Sequence, residues 1–147
     1  MTRTTLAIAS ALGAALLNVP ACRKKAVQGS DTRTAVVVPV EARDAILAEM
    51  RTMLGSMNGI LNSVVSGDTA SIRSAASASG TAMAADPALE KILPEQFLRM
   101  GMNTHQQFDS LAAASIGPAA RDTAIARLAR LTGNCVSCHA LYRLEVK

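Results

Sequence analysis

The chain has 147 residues and a formal net charge of +4, with half of its residues hydrophobic and only 2% aromatic. Ala, Leu, Met and Ile dominate the apolar residues, which favours helices over strands and predicts an all-α fold in one domain. From residue 41 onward, ten Lys and Arg are balanced by ten Asp and Glu. A neutral folded part lacks the basic surface that nucleic-acid binding needs, so we expect no nucleic-acid partner.

Residues 1–21 have the pattern of an export signal. Arg3 lies in a short first region, an apolar run follows from Leu6 to Leu17, and Val19-Pro20-Ala21 precedes Cys22. The apolar run has 12 residues, which is too short for a helix that crosses a bilayer core of about 30 Å. We therefore expect cleavage before Cys22 and a periplasmic protein.

Cys22 is a candidate for lipidation. The residues before it resemble a bacterial lipobox, and it is the odd third cysteine of a chain whose other two form a pair. Arg23, Lys24 and Lys25 follow, and each would add roughly 1 kcal/mol of attraction to an anionic lipid surface. The sequence predicts a lipoprotein bound to the membrane through Cys22, with a soluble exported form as the alternative.

Residues 22–40 read as a flexible linker. They are rich in Gly, Ser, Thr and Asp and then in Val, and they close with Pro39-Val40. The run Val36 to Val40 has the composition of a strand, but the sequence shows no partner strand for it. We expect this run to be irregular.

Helical periodicity begins at Glu41 and sets the domain 41–147. The first helix is predicted to end at Gly67 in a left-handed conformation, with Asp68 capping a second helix over residues 69–83. The apolar stripe of the first helix is Ile46, Met50, Met53, Met57, Leu61 and Val64.

Two further helices follow a short turn around residues 89–93. The third is predicted to begin near Pro94 and to end at Ile116-Gly117-Pro118. The fourth begins around Ala119 and has an apolar side of Ile125, Leu128, Leu131, Cys135, Cys138 and Tyr142. Four helices joined by short breaks predict an antiparallel four-helix bundle with a cofactor in its core.

The pentapeptide Cys135-Val136-Ser137-Cys138-His139 carries the strongest chemical signal. C-x-x-C-H is the attachment signature of a c-type haem, in which the thiols bond the vinyl groups and the imidazole binds the iron. On a helix, positions i, i+3 and i+4 share one face, so the three side chains can meet one flat macrocycle. A redox dithiol would need a βαβ pattern, and a zinc site would need four ligands; the sequence offers neither. We expect one covalent haem c per chain.

These features resemble the class II cytochromes c, the cytochrome c′ group, over residues 41–147. The resemblance rests on Cys135-x-x-Cys138-His139-x-x-Tyr142-Arg143 near the C-terminus, and more weakly on Gly67-Asp68 and Leu93-Pro94-x-x-Phe97. It implies that Cys135 and Cys138 form the thioethers, that His139 is the proximal iron ligand, and that Arg143 lies one helical turn beyond His139 near the haem.

The resemblance also implies that the first helix supplies the residue on the other face of the iron. Met50 is the first candidate for a sixth ligand, with Met53 and His105 as alternatives. An ungapped count back from Gly67-Asp68, however, places Arg51 at the family's distal position, and arginine does not ligate iron. Either Met50 is rotated into the site or the distal side is built differently.

The leading functional expectation is one-electron transfer between redox proteins by a non-enzymatic haem protein with His/Met ligation. The alternative is a five-coordinate haem that binds NO or CO, and a haem-bearing interaction module is a third possibility. No nucleophile or paired-carboxylate site indicates an enzyme. The resemblance also permits a homodimer through the first two helices.

Overall fold

The computed structural model describes residues 31–84 and 86–147; the expected signal segment, Cys22 and the first part of the expected linker lie outside these ranges. The described chain is mostly helical, with one small sheet. In chain order the elements are β1 (Thr34–Val38), α1 (Val40–Ser66), α2 (Thr69–Ser77), α3 (Pro87–Glu90), α4 (Glu95–Ala114), α5 (Ala120–Leu141) and β2 (Tyr142–Val146). Within the described ranges, no helix has the length and apolarity that crossing a bilayer requires.

Local signals set the helix ends. Gly67 terminates α1 with φ 77°, a left-handed conformation in which its N–H donates to the carbonyls of Ser63 and Val64. Asp68 caps α2, because its carboxylate accepts from the Ser71 N–H at 3.0 Å. Pro94 immediately precedes α4. The predicted boundaries at these three positions are confirmed.

The second helix is shorter than predicted. α2 ends at Ser77, and turns replace the expected helix over residues 78–83. Tertiary hydrogen bonds hold these turns: the Ser79 hydroxyl lies 2.8 Å from that of Ser56, and the Thr81 N–H and hydroxyl donate to Asp109 at 3.0 and 2.7 Å. Partners on α1 and α4 therefore outweigh the helical propensity of an alanine-rich segment.

The expectation of an irregular run at residues 36–40 was wrong. β1 pairs in parallel with β2, with Thr34 opposite Tyr142 and Val38 opposite Val146. Val36 and Val38 are buried, because one face of this sheet packs on the helices. The compact unit that contains all these elements begins at Thr32, eight residues before the expected end of the linker.

Two hydrophobic clusters fill the helical unit. The large core cluster contains Ile60, Val64, Ile72, Ala76, Phe108, Leu111, Ala112, Ala124, Leu128 and Leu131. The small core cluster contains Val36, Val38, Ile46 and Phe97. Ile46 of α1 and Phe97 of α4 belong to the small core cluster, and Cys138 near the end of α5 packs against it, so α5 runs opposite to α1 and α4.

Two stripe positions were predicted wrongly. Leu61 and Ile125 are each 44% exposed, whereas their neighbours Ile60 and Ala124 are buried in the large core cluster. At both positions the inward face lies one residue before the stripe read from the spacing, a rotation of the helix that periodicity alone does not fix.

Candidate functional site

A cavity of about 470 Å³ lies between the two core clusters. Its volume falls in the range of roughly 300–1,000 Å³ that is usual for small-molecule and cofactor sites. Three helices contribute most of its wall, and α3 with the turn before α4 closes it with Leu89 and Leu93. The lining is largely apolar, and its residues include Ile46, Met50, Met53, Phe97, Leu98, Met100, Gly101 and Met102.

The two cysteines and the histidine of the C-x-x-C-H motif all line this cavity. α5 presents Cys135, Cys138 and His139 to it, as expected for positions i, i+3 and i+4 of one helix. The two cysteines are free thiols and half-buried, and burial raises the pKa of both. For Cys138, the neighbouring Cys135 raises the pKa further. The thiols are therefore held as neutral groups against an apolar space.

His139 lies at the rim of the cavity, where its side chain is exposed. Within the described residues, its imidazole makes no hydrogen bond, whereas its backbone carbonyl accepts from the Arg33 guanidinium at 3.3 Å. The carbonyl of Tyr142 accepts from the same guanidinium at 3.5 Å. Arg33, just before β1, thus fixes the end of the motif helix while the imidazole nitrogens stay available for a ligand bond.

α1 faces the cavity with Ile46, Glu49, Met50 and Met53, which recur at helical spacing. Arg51 is exposed. The structure therefore brings Met50 to the cavity and turns Arg51 away, although the ungapped count places Arg51 there. Met50 packs on the small core cluster together with Cys138, whereas Met53 packs on the large core cluster together with Cys135.

The sequence argument missed several cavity residues, of which three bear on the chemistry of the site. Met100 and Met102 on α4 line the cavity beside Gly101, and Glu49 lines it from α1. The available signal was the spacing of Phe97, Gly101 and His105, which marks one face of α4 and places their neighbours near the same space. Glu49 gave no local signal, because an acidic residue beside a stripe is usually solvated.

His105 lines the cavity but is already hydrogen-bonded on both sides of its ring. Nδ1 lies 2.9 Å from the Ser79 carbonyl oxygen, and Nε2 lies 2.6 Å from a carboxylate oxygen of Glu49. Burial lowers the pKa of His105, but the hydrogen bonds to Glu49 and Ser79 outweigh burial, so the pKa is raised overall. A carbonyl only accepts, so Nδ1 carries a proton, and the imidazole has no nitrogen left for a metal.

Arg143 is not where the resemblance implied. The helix ends at Leu141, so Arg143 lies in β2, where it pairs with Ala35 across the sheet. Its Nε donates to the Arg33 carbonyl at 3.3 Å, and its guanidinium forms an ion pair with Glu145. Arg143 is not among the residues that line the cavity.

The geometry can hold a flat apolar group between α5 and the methionine-bearing walls, bonded through two thiols and met by one imidazole. Among residues 31–84 and 86–147, no cluster of three or more His, Cys, Asp or Glu side chains is arranged to hold a metal ion. No protein-family model, no curated protein and no solved structure matches the chain.

Proposed function

We propose that this chain carries one haem, bonded through Cys135 and Cys138, with His139 as an axial ligand of the iron. The observation that carries the proposal is that all three motif residues line one largely apolar cavity of about 470 Å³. Such a lining suits a porphyrin, whose faces are apolar, and the spacing i, i+3, i+4 suits attachment on one side. Bound there, the haem supplies a reversible one-electron redox centre.

The proposed architecture is an antiparallel four-helix bundle of α1, α2, α4 and α5. In support, α1 packs on α2 and α5, and α4 packs on the same two helices. α5 runs opposite to α1 and α4, as the shared clusters require. The cofactor would then lie within the bundle, as in the class II cytochromes c that the motif resembles.

We propose Met50 as the sixth ligand, with Met53 as the alternative. In support, Met50 lines the cavity together with His139 and packs on the same small core cluster as Cys138, which directly precedes His139. Met100 and Met102 join the candidates because they line the same cavity. His105 does not fit, since both of its ring nitrogens are engaged.

The proposed role is electron transfer with other redox proteins. The apolar wall residues exclude water from the cofactor, and the exposed rim at His139 leaves one side of the site within reach of a partner. This role needs no catalytic acid or base from the chain. It is proposed for an exported protein bound to the periplasmic face of a membrane through a lipid on Cys22.

The test is production in a bacterial host that attaches haem c during export. We expect a coloured protein whose haem remains with the denatured chain, and Cys135→Ala/Cys138→Ala should yield colourless protein. A six-coordinate low-spin spectrum with a sulfur-to-iron charge-transfer band would support methionine ligation. Colourless wild-type protein with two free thiols would overturn the proposal.

The ligand is assigned with matched methionine variants. Met50→Ala should remove the charge-transfer band, whereas Met57→Ala should leave it, because Met57 packs on the large core cluster and does not line the cavity. If Met50→Ala keeps the charge-transfer band and Met53→Ala loses it, the sixth ligand is Met53 rather than Met50. A high-spin wild-type spectrum with ready CO binding would instead favour the five-coordinate, gas-binding function.

Lipidation is tested separately at Cys22. Mass spectrometry of the mature N-terminus should show a lipid-modified Cys22, and Cys22→Ser should move the protein from the membrane fraction to the soluble periplasm. An unmodified N-terminal cysteine in the wild type would contradict the lipoprotein assignment and leave the haem proposal standing.

A further inference from the structure

The two cavity walls that face the motif helix are joined by one buried ion pair. α1 and α4 each pack mainly on α2 and α5. At the cavity they are bridged by Glu49 of α1 and His105 of α4, with 2.6 Å between the carboxylate oxygen and Nε2. The His105 side chain is 3% exposed and that of Glu49 is 22% exposed. Water therefore screens this pair far less than it screens a surface salt bridge.

A second connection runs through Ser79 in the turn after α2. His105 Nδ1 donates to the Ser79 carbonyl at 2.9 Å, and the Ser79 hydroxyl lies 2.8 Å from the Ser56 hydroxyl on α1. Ser56 is two helical turns beyond Glu49. The imidazole thus fixes α4 to α1 directly at Glu49 and indirectly at Ser56.

The Glu49–His105 pair lies where it can restrain the part of α1 that forms the cavity wall. Glu49 immediately precedes Met50 and lies one turn before Met53, and both methionines line the cavity. Glu49, Met50 and Met53 border the cavity, whereas Ile46 packs on the small core cluster as well as lining the cavity. A helix is stiff over two turns, so a bond at Glu49 restrains the whole segment 46–53.

We propose that Glu49 and His105 are positioning residues that hold α1 and α4 at a fixed separation and thereby set how readily a small ligand reaches the iron. This inference rests on the proposed haem function. When the link is broken, the segment 46–53 moves away from the cavity more often, and an external ligand enters during those openings. A buried donor left without its acceptor also strains the native arrangement, which favours opening.

Three variants separate positioning from charge. Glu49→Leu removes the acceptor. Glu49→Gln keeps both bonds in a neutral form, because a neutral His105 can donate from Nδ1 to Ser79 and accept at Nε2 from the introduced side-chain amide. His105→Gln replaces two nitrogens on opposite sides of the imidazole by a single amide nitrogen, so we expect it to keep the bond to only one of the two partners. Glu41→Leu is the control, since Glu41 is an exposed residue of the same helix and does not line the cavity.

Two measurements are made on the haem-loaded proteins. The first is the rate at which carbon monoxide binds the reduced protein, followed by absorption. The second is hydrogen exchange of the backbone amides of residues 46–53. We expect Glu49→Leu to raise both rates by about tenfold, and His105→Gln to raise them severalfold. Glu49→Gln and Glu41→Leu should stay within about twofold of the wild type.

Each outcome decides the inference. Unchanged carbon monoxide and exchange rates in both Glu49→Leu and His105→Gln would overturn it, as would Glu49→Gln behaving like Glu49→Leu, which would assign the effect to charge. If Glu49→Leu does not fold, the comparison of His105→Gln with Glu49→Gln decides. A wild-type protein without haem would refute the proposed function, and the exchange measurement would still decide whether the pair restrains α1.

Discussion

The two ends of the helical unit are built from the same helices but differ in what lies between them. At one end, the large core cluster fills the space with interlocking side chains, and Ile60, Phe108 and Leu131 have no exposed surface. At the other end, the helices surround a cavity of about 470 Å³, and the small core cluster covers only its outer side. We therefore expect the filled end to contribute most of the stability, and we propose the cavity end as the binding site.

The two phenylalanines of the chain give the strongest test of this difference between the two ends. Phe108→Ala in the large core cluster should lower the free energy of unfolding by about 3–5 kcal/mol, because its contacts with packed neighbours are lost. Phe97→Ala at the cavity end should cost less, about 2 kcal/mol, since part of its ring faces the cavity. Urea unfolding measures both losses.

The absorption spectrum of the proposed haem gives a second, complementary readout for the same pair of variants. Phe97→Ala should shift the absorption of the bound haem, whereas Phe108→Ala should leave it as in the wild type at temperatures where the variant is folded. Equal losses of stability together with equal spectral changes would show that the two ends are not specialised.

Gly80, in the turns after α2, provides the next largest expected effect. A Cβ on this residue would overlap an Asp109 carboxylate oxygen, so the carboxylate has to move and its bonds to Thr81 are broken. We expect Gly80→Ala to cost about 2 kcal/mol in urea unfolding. In an Asp109→Ala background the same change should cost little, and an undiminished cost there would contradict the steric explanation.

The parts of the molecule that sequence predicted are those encoded locally. Gly67, Asp68 and Pro94 set helix ends within a few residues of themselves, and the spacing of Cys135, Cys138 and His139 places them on one face of one helix. The parts that it missed depend on residues far apart in the chain. Thr34 pairs with Tyr142, and Glu49 meets His105, and neither pairing leaves a periodic or local trace.

The short second helix shows the same limit. Residues 78–83 have the alanine-rich composition of a helix, but Ser79 and Thr81 find partners on α1 and α4 that only the folded chain brings near. Local propensity differences of a few tenths of a kcal/mol per residue are smaller than such tertiary bonds.

A pair of glycines tests the backbone at the filled end with effects of opposite sign. Gly67→Ala should cost about 1 kcal/mol, because φ is 77° there and a Cβ would meet nothing within 4 Å, which leaves backbone strain as the cause. Gly55→Ala, within α1 and equally free of neighbours, should instead raise stability by about 0.5–1 kcal/mol. Thermal unfolding of the two variants checks the signs; destabilisation by both would mean that Gly55 has a role beyond helix propensity.

The smallest expected effect is a pH dependence of the contact between Asp109 on α4 and Thr81 in the turn after α2. The Thr81 N–H and hydroxyl lower the pKa of Asp109 below its ordinary value of 3.8, so the folded state holds the carboxylate in its charged form. The stabilisation by the Asp109 carboxylate is complete above the pKa that this group has in the unfolded chain, and it is lost as the pH falls through the lower pKa of the folded state.

Asp109→Asn should therefore be less stable than the wild type at pH 7 by about 1 kcal/mol, since the carboxylate is only partly buried. Below about pH 5 this difference should shrink. Asp68, whose pKa is also lowered by its bonds to Ser71, titrates equally in both proteins and cancels in the comparison. Urea unfolding of the two proteins at a series of pH values measures the difference, and a gap that stays constant down to pH values well below 3.8 would show that the Asp109 carboxylate does not stabilise the turn through its charge.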